Sequence, residues 1–247
     1  LLDAAGDVLR PCMLWNDTRS HIEAAAYDGD PAWRHITGNI VFPGFTAPKV
    51  AWVQAHEPDT FDKARKILLP KDYLRYCLTG DAVSDMSDAA GTSWLDTGAR
   101  DWSDQLLAAS GLTRDHMPRL VEGSQVSGRL RDTLAARWGL PKGVVVAGGA
   151  GDNAASAVGM GVVKPGQAFI SLGTSGVLFA SSAAYQPDPP SAVHTFCHAV
   201  PGTWHQMGVI LACTDALNWY AQLVGSDAMT LTQELGALQA PSETLFL

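Results

Sequence analysis

No run in these 247 residues approaches the roughly 18 consecutive apolar residues of a membrane-spanning helix, so nothing reads as a transmembrane segment. Equally missing is a basic stretch followed by an apolar core and a cleavage site, the pattern of an export signal. Cysteine is sparse: Cys12, Cys77, Cys197 and Cys213 are scattered, with no C-x-x-C pair. That spacing favours reduced thiols and a cytoplasmic protein over a disulfide framework. Positive charge is short as well, with 17 Lys and Arg against 25 Asp and Glu, a formal net charge of −8 and a pI near 5.2. Nucleic-acid binding needs a clustered basic surface, so that class of partner is excluded. The G-x-x-x-x-G-K-[ST] phosphate loop occurs nowhere, and neither do an internal repeat or a low-complexity tract.

What is present is globular. Hydrophobic residues make up 47% and charged residues 17%, with mean hydropathy near zero, enough to bury a core in one large domain or parts of two. Residue 1 is Leu, and Leu1 to Leu9 reads as two strand pieces around an Ala-Gly-Asp turn, while the far end stops on the apolar Leu245-Phe-Leu247. Both ends read as cuts through a fold.

Helix signals recur through the first 160 or so residues. Asn16 or Asp17 is expected to cap a helix through Ser20–Ala26, because their side chains accept orphan backbone N–H groups. A second helix is expected over Thr46–Ala55, with Val50, Trp52 and Val53 on its apolar side and Glu57-Pro58 ending it. Pro70 to Gly80 has proline first and glycine last, the helix asymmetry. Ser103 is the expected cap of a helix that Gly111 stops, and Asp132–Trp138 is another, closed by Gly139. The strand Val144–Ala147 then feeds Gly148-Gly-Ala-Gly-Asp152-Asn153, and small residues follow to Gly161. A turn at Val163–Gly166 marks the expected domain boundary, giving domains 1–162 and 163–247. Two strands, Ala168–Ser171 and Val177–Ala180, flank Leu172-Gly-Thr-Ser-Gly176, and Thr214–Val224 is helical.

Three places invite chemistry. Asp152 follows a glycine turn that permits positive φ and close ligand approach, and it stands at a helix start, where the dipole and free N–H groups favour the anion. An ionised carboxylate suits a base that takes a proton from an alcohol, although a plain helix-capping aspartate has the same local pattern. Ser171-Leu-Gly173-Thr174-Ser175-Gly176 offers backbone N–H groups and hydroxyls to one point, which suits phosphate oxygens, although an ordinary hairpin turn reads the same. It is not a G-x-S-x-G elbow, because only Thr174 separates Gly173 from Ser175. His194 and His198 are four apart around Cys197, but the flanking residues favour a strand, where they lie too far apart for one metal ion. They read as core or surface histidines. Trp15, Trp52 and Trp94 read as core or cleft wall rather than as stacking platforms.

Several stretches together resemble the FGGY carbohydrate kinases. They are Leu14-Trp-Asn-Asp-Thr-Arg-Ser20, the Gly44-x-Thr46-x-x-Lys49-x-x-Trp52 spacing, Leu69–Arg75, Ser84–Thr92, Gly151-Asp-Asn-Ala-Ala155 and Ser171–Gly176. The likeness spans nearly the whole chain. It implies an α/β, actin-like (ribonuclease-H-like) two-domain sugar kinase fold, incomplete in both domains, with 1–162 in the sugar-binding domain and 163–247 beginning the ATP-binding one. It implies ATP with Mg²⁺ as cofactors and a small sugar as acceptor, D-xylulose on the closest stretches. Ribulose, fuculose, gluconate, glycerol or a non-catalytic binding module are the alternatives. By the same resemblance Asp152 is the catalytic base, Asn153 binds sugar hydroxyls, and Gly173, Thr174 and Ser175 hold ATP phosphates. No metal ligand is assigned to this chain, and a homodimer is open to it. The family's Asp-x-Gly-Thr loop and Met-His-Gly turn do not occur in these residues, and the Gly148–Asp152 turn carries one residue more than the family pattern. The expectation is that these 247 residues alone do not phosphorylate sugar.

Overall fold

A computed structural model describes residues 1–236. Its helices are α1 (His21–Asp28), α2 (Pro31–Thr37), α3 (Thr46–His56), α4 (Pro58–Phe61), α5 (Pro70–Thr79), α6 (Met86–Ala89), α7 (Asp104–Ala109), α8 (Asp132–Trp138), α9 (Asp152–Gly159), α10 (Thr214–Leu223) and α11 (Ala228–Glu234). Its strands are β1 (Val83–Asp85), β2 (Leu95–Asp96), β3 (Asp101–Trp102), β4 (Arg119–Val121), β5 (Val126–Arg129), β6 (Val145–Ala147), β7 (Ala168–Leu172), β8 (Gly176–Ser182), β9 (His194–Cys197) and β10 (Trp204–Ile210). β1 and β4 run parallel with Ser84 opposite Leu120, while β5 pairs antiparallel with β6 and β2 with β3. The longest sheet has the order β7-β8-β10-β9. No helix among the described residues is long and apolar enough to cross a membrane.

Proline and glycine punctuate the helices as expected. α5 starts on Pro70 and stops at Gly80, whose φ of 92° an L side chain rarely adopts. α8 likewise ends at a left-handed Gly139. Ser103 caps α7, its Oγ accepting the Leu106 N–H at 3.3 Å. The opening turn also forms, with Leu2 bridged to Val8 across Gly6. One expectation fails. Neither Asn16 nor Asp17 caps α1: Ser20 holds that position, and Asp17 instead accepts from the Arg19 N–H and guanidinium. A charged partner two residues away outcompetes a distant helix end. Trp52 is partly buried, stacked on His56 with the Arg19 guanidinium over its ring, while Val50 and Val53 are buried together with Ala47, Pro48 and Lys49.

The chain divides into two compact units. Among the described residues, the first holds Leu1–Phe169 and Phe179–Gly208, the second Ile170–Leu178 and 209–236, so β7, β8 and β10 pass from one into the other. The expected boundary at 162/163 falls inside the first unit. That unit's core is built on Trp33, Trp94, Leu95, Leu106 and Leu107, all fully buried, with Trp94 Nε1 donating to Ser110 Oγ at 2.9 Å. Trp94 is thus core, whereas Trp15 is 71% exposed and lines a cavity.

Candidate active site

β6 delivers the chain into Gly148-Gly-Ala-Gly151, and α9 begins at Asp152. The helix cap is Gly151, so Asp152 is the first helical residue and not the cap. Its side chain is exposed, and only one carboxylate oxygen is engaged: Oδ1 accepts the Asn153 N–H at 2.7 Å and the Asn153 amide at 3.1 Å. The structure therefore brings Asp152 and Asn153 together at a helix N-terminus, with no hydrogen-bond partner for Oδ2 among the described residues.

The turn itself needs glycine at one point for reasons of space. A Cβ on Gly148 would meet the Glu122 carbonyl oxygen at 2.3 Å, because β6 emerges against the loop after β4. Gly149 has a φ of 75°, which closes the turn. The Gly148 and Gly149 N–H groups donate to the Gln125 and Gly123 carbonyls at 2.8 and 2.9 Å. The Gly148 carbonyl accepts from the buried Arg75 guanidinium, and the Gly151 N–H donates to Ser87 Oγ at 2.9 Å.

Arg75 and Ser87 belong to a charged cluster beneath the turn. Arg75 also reaches Asp72 Oδ1 at 2.9 Å and the Val83 carbonyl at 2.5 Å. Lys71 Nζ lies 2.8 Å from Asp72, 2.6 Å from Asp85 and 3.5 Å from Asp88. Burial disfavours the Lys71 charge, but the three carboxylates outweigh it and hold the ammonium above its ordinary pKa. Asp88 is pushed up to about 6, first by burial, with the negative neighbours Asp85 and Asp72 adding and Lys71 opposing. Asp72, Asp85 and Asp88 present oxygens at metal-ligand spacing. Lys71 already supplies the positive charge among them, so the trio does not fit Mg²⁺ and is not assigned to it.

Asp88 also lines a cavity of about 380 Å³, together with Trp15, Phe45, Thr46, Lys49 and Leu69. A Cβ on Gly151 would come 3.5 Å from Asp88 Oδ1, so the cavity wall and the Gly148–Gly151 turn meet at this carboxylate. Lys49 of the resemblance motif is structural here: its ammonium ties the Leu14 and Gly44 carbonyls, each at 2.7 Å. Gly44 has no room for a side chain, since a Cβ would stand 2.7 Å from the Trp15 carbonyl oxygen.

In the second unit, the Gly173–Ser175 turn is closed by Gly173 N–H donating to the Ser175 carbonyl at 3.0 Å. Thr214 donates to the Gly173 carbonyl through both its N–H (3.0 Å) and its hydroxyl (2.6 Å). Ser175 Oγ is committed to the Leu211 carbonyl at 3.0 Å, whereas the exposed Thr174 hydroxyl has no partner among the described residues. The turn can thus offer backbone N–H groups and one hydroxyl to an anion, not two hydroxyls. Gly176 is required by Cys213, whose Sγ would lie 2.9 Å from a Cβ there.

His194 lies on β9 and is partly buried, His198 directly follows that strand and His205 lies on β10, both of these buried. Both ring nitrogens of His198 are taken, by the Val162 carbonyl at 3.1 Å and the Val200 N–H at 3.0 Å. His194 packs on Phe42, Phe45 and Phe196. His205, stacked on Phe179, is pushed down to about 3, mainly by burial, and is neutral. No metal-ligand group among the described residues includes them. All four cysteines are free thiols.

Residues 1–159 match the N-terminal domain of the FGGY family of carbohydrate kinases, and the chain belongs to that family. It is 56% identical over 226 residues to a xylulose kinase of Klebsiella pneumoniae, covering 91% of this chain and 47% of that protein. It is 55% identical over 226 residues to a xylulose kinase of Escherichia coli (strain K12), covering 91% of this chain and 46% of that protein. Among solved structures, a "xyloylose kinase" from Brucella ovis matches at 67% identity and a TM-score of 0.93, over 98% of this chain and 50% of that one. The xylulose kinase from Rhodospirillum rubrum matches at 30% identity and a TM-score of 0.88, over 95% and 49%. The fold is therefore the actin-like α/β fold of these sugar kinases, and the chain spans about half the length of the relatives it matches.

Sequence reasoning singled out Asp152, Asn153 and the Gly173–Ser175 turn but named none of Arg75, Asp85, Ser87 and Lys71 individually. Asp85-Met-Ser87-Asp88 does carry a local signal, an aspartate whose Oδ1 accepts the N–H groups two and three residues on. Nothing local tells that its serine reaches a turn 64 residues away.

Proposed function

We propose that the protein to which this chain belongs phosphorylates D-xylulose to D-xylulose 5-phosphate with ATP, Asp152 acting as general base. The observation that carries the reading is the placement of Asp152: an exposed carboxylate at the head of α9, one oxygen held by Asn153 and the other free. The identity of the xylulose kinase relatives supports the choice of sugar.

In the reaction the sugar hydroxyl oxygen bonds to the γ-phosphorus as the bond from that phosphorus to the β–γ bridging oxygen breaks. The hydroxyl proton passes to the free oxygen of Asp152, and ADP leaves. Asn153 both orients the carboxylate and can present its amide to sugar hydroxyls. The Gly173–Ser175 turn holds phosphate oxygens through its N–H groups and Thr174 Oγ1. Mg²⁺, when bound with ATP, supplies neutralisation of phosphate charge, and no residue of this chain is assigned to hold it. We take residues 1–162 as sugar-binding domain and 163 onward as the start of the ATP-binding domain, near where the family match ends at residue 159. The free thiols and the absence of any long apolar helix among the described residues fit a cytoplasmic enzyme.

In the full-length gene product, Asp152→Asn is expected to lower kcat by roughly 10²–10⁴-fold, the usual share of a general base. Its Tm should stay within about 2 °C of wild type, since the side chain is exposed and the amide keeps the Oδ1 acceptor. A coupled assay of ADP release with D-xylulose checks this, and near-normal turnover in the folded variant would sink the assignment.

A further inference from the structure

The turn that carries Asp152 has almost no side chains with which to hold itself. Gly148, Gly149, Ala150 and Gly151 offer backbone and one methyl, so the position of the base is decided by groups outside the turn. At its start the turn is held by the Gln125 and Gly123 carbonyls and by Arg75. At its end, on the peptide next to Asp152, the contact is the Gly151 N–H to Ser87 Oγ at 2.9 Å.

The direction of every bond there is determined. A backbone N–H can only donate, so Ser87 Oγ accepts from Gly151; Asp85 Oδ1 already accepts the Ser87 and Asp88 N–H groups, and the Ser87 hydroxyl donates to the same oxygen at 2.5 Å. Asp85 is buried and in turn held 2.6 Å from Lys71. The Ser87 hydroxyl is not needed to cap α6, because Asp85 Oδ1 takes the Ser87 and Asp88 N–H groups directly, at 3.0 and 3.1 Å. What it does is serve a different helix. Gly151 is the cap of α9 and has no side chain to orient that first turn, and Ser87 supplies the missing constraint from 64 residues away.

We propose that Ser87 is a positioning residue for phosphoryl transfer: backed by Asp85 and Lys71, its hydroxyl fixes the Gly151 peptide and so aims the Asp152 carboxylate at the sugar hydroxyl. The proposal rests on the reading of Asp152 as base. Ser87 touches no substrate, so its removal changes aim and not binding. A displacement of about 1 Å at a reacting group is enough to cost on the order of 10²-fold in rate.

The test uses the full-length kinase, with kcat, the KM values for D-xylulose and ATP, and Tm measured for Ser87→Ala, Asp152→Asn and the double variant. Ser87→Ala is expected to lower kcat about 10- to 100-fold with both KM values within about threefold of wild type. In the Asp152→Asn background the same substitution should cost nothing further, because the two residues serve one step. Ser110→Ala is the control. It removes an equally buried hydroxyl, the partner of Trp94 Nε1, and should lower Tm while leaving kcat unchanged. If Ser87→Ala does not fold, Ser87→Cys replaces it, near in size but a poor acceptor for the Gly151 N–H. A folded Ser87 variant with wild-type kcat, or a loss that adds fully to that of Asp152→Asn, overturns the proposal. Undiminished turnover in Asp152→Asn overturns the base assignment instead, which keeps the two failures apart.

Discussion

The Asp88 carboxyl stands where cavity wall, buried cluster and the Gly148–Gly151 turn converge, and its pKa near 6 has a consequence for stability. Its folded pKa lies above the unfolded value of 3.8, so the folded state holds this proton more tightly than the unfolded chain does. The contribution is complete below about pH 4 and is lost as pH rises through 6. Asp88→Asn does not titrate and should escape that loss. The variant is expected to gain stability over wild type on going from pH 5 to pH 8, by on the order of 1–3 kcal/mol. Thermal melts of both proteins at the two pH values check it, and a difference in Tm that is the same at both would refute the assignment. His205 shows the opposite choice: a buried ring among Phe179, Phe196 and His198 stays neutral.

At the scale of elements, what matters is how β6, its turn and α9 are joined. Gly148 and Gly151 look equivalent in the sequence, but their surroundings differ. A methyl at Gly148 meets the Glu122 carbonyl at 2.3 Å and Val121 Cγ2 at 3.0 Å, and backbone cannot move aside cheaply. A methyl at Gly151, where φ is −59°, makes only an ordinary 3.5 Å contact with Asp88. Gly148→Ala is therefore expected to cost about 1–3 kcal/mol of stability and to displace the turn, whereas Gly151→Ala should cost less than about 1 kcal/mol. Denaturant unfolding of the pair decides the matter, and equal losses would mean that the turn is not set by β6 packing on the loop after β4. The same contrast explains which elements could be read in advance. α5 and α8 announce themselves through Pro70, Gly80 and Gly139, signals that act within one turn of helix. β1 and β4 are three residues each and pair in parallel from 36 positions apart (Val83 with Arg119), so neither periodicity nor turn chemistry marks them. The capping signal of Asp17 does not reach α1 because Asp17 has a nearer partner in Arg19.

On the scale of the molecule, the two units interleave along the chain, with Asp152 in one and the Gly173–Ser175 turn in the other. The chain spans about half of its relatives, and the Asp-x-Gly-Thr loop that the family resemblance calls for is not among its residues. Phosphoryl transfer depends on positioning and charge stabilisation by several groups at once, so the proposed base, without every group the resemblance implies, should give little rate. The 247-residue chain alone is expected to show no turnover of D-xylulose above background in an ADP-release assay at micromolar enzyme. Robust turnover would show that these residues hold a complete site.

By itself the sequence determined the features that depend on near neighbours. These are the proline- and glycine-bounded helices, the strand-to-turn-to-helix passage at Gly148–Asp152, the hydroxyl turn at Gly173–Ser175, and a composition without basic surface or spanning helix. Tertiary structure alone decided which groups hold those features in place. Arg75 meets Gly148, and Ser87 meets Gly151, only because α5 and α6 flank β1 and β1 lies beside β4. The physical reason is range. Caps and turns are settled by hydrogen bonds within a few residues, whereas a buried charge or hydroxyl takes whatever partner the folded chain brings within about 3 Å, at any separation in sequence.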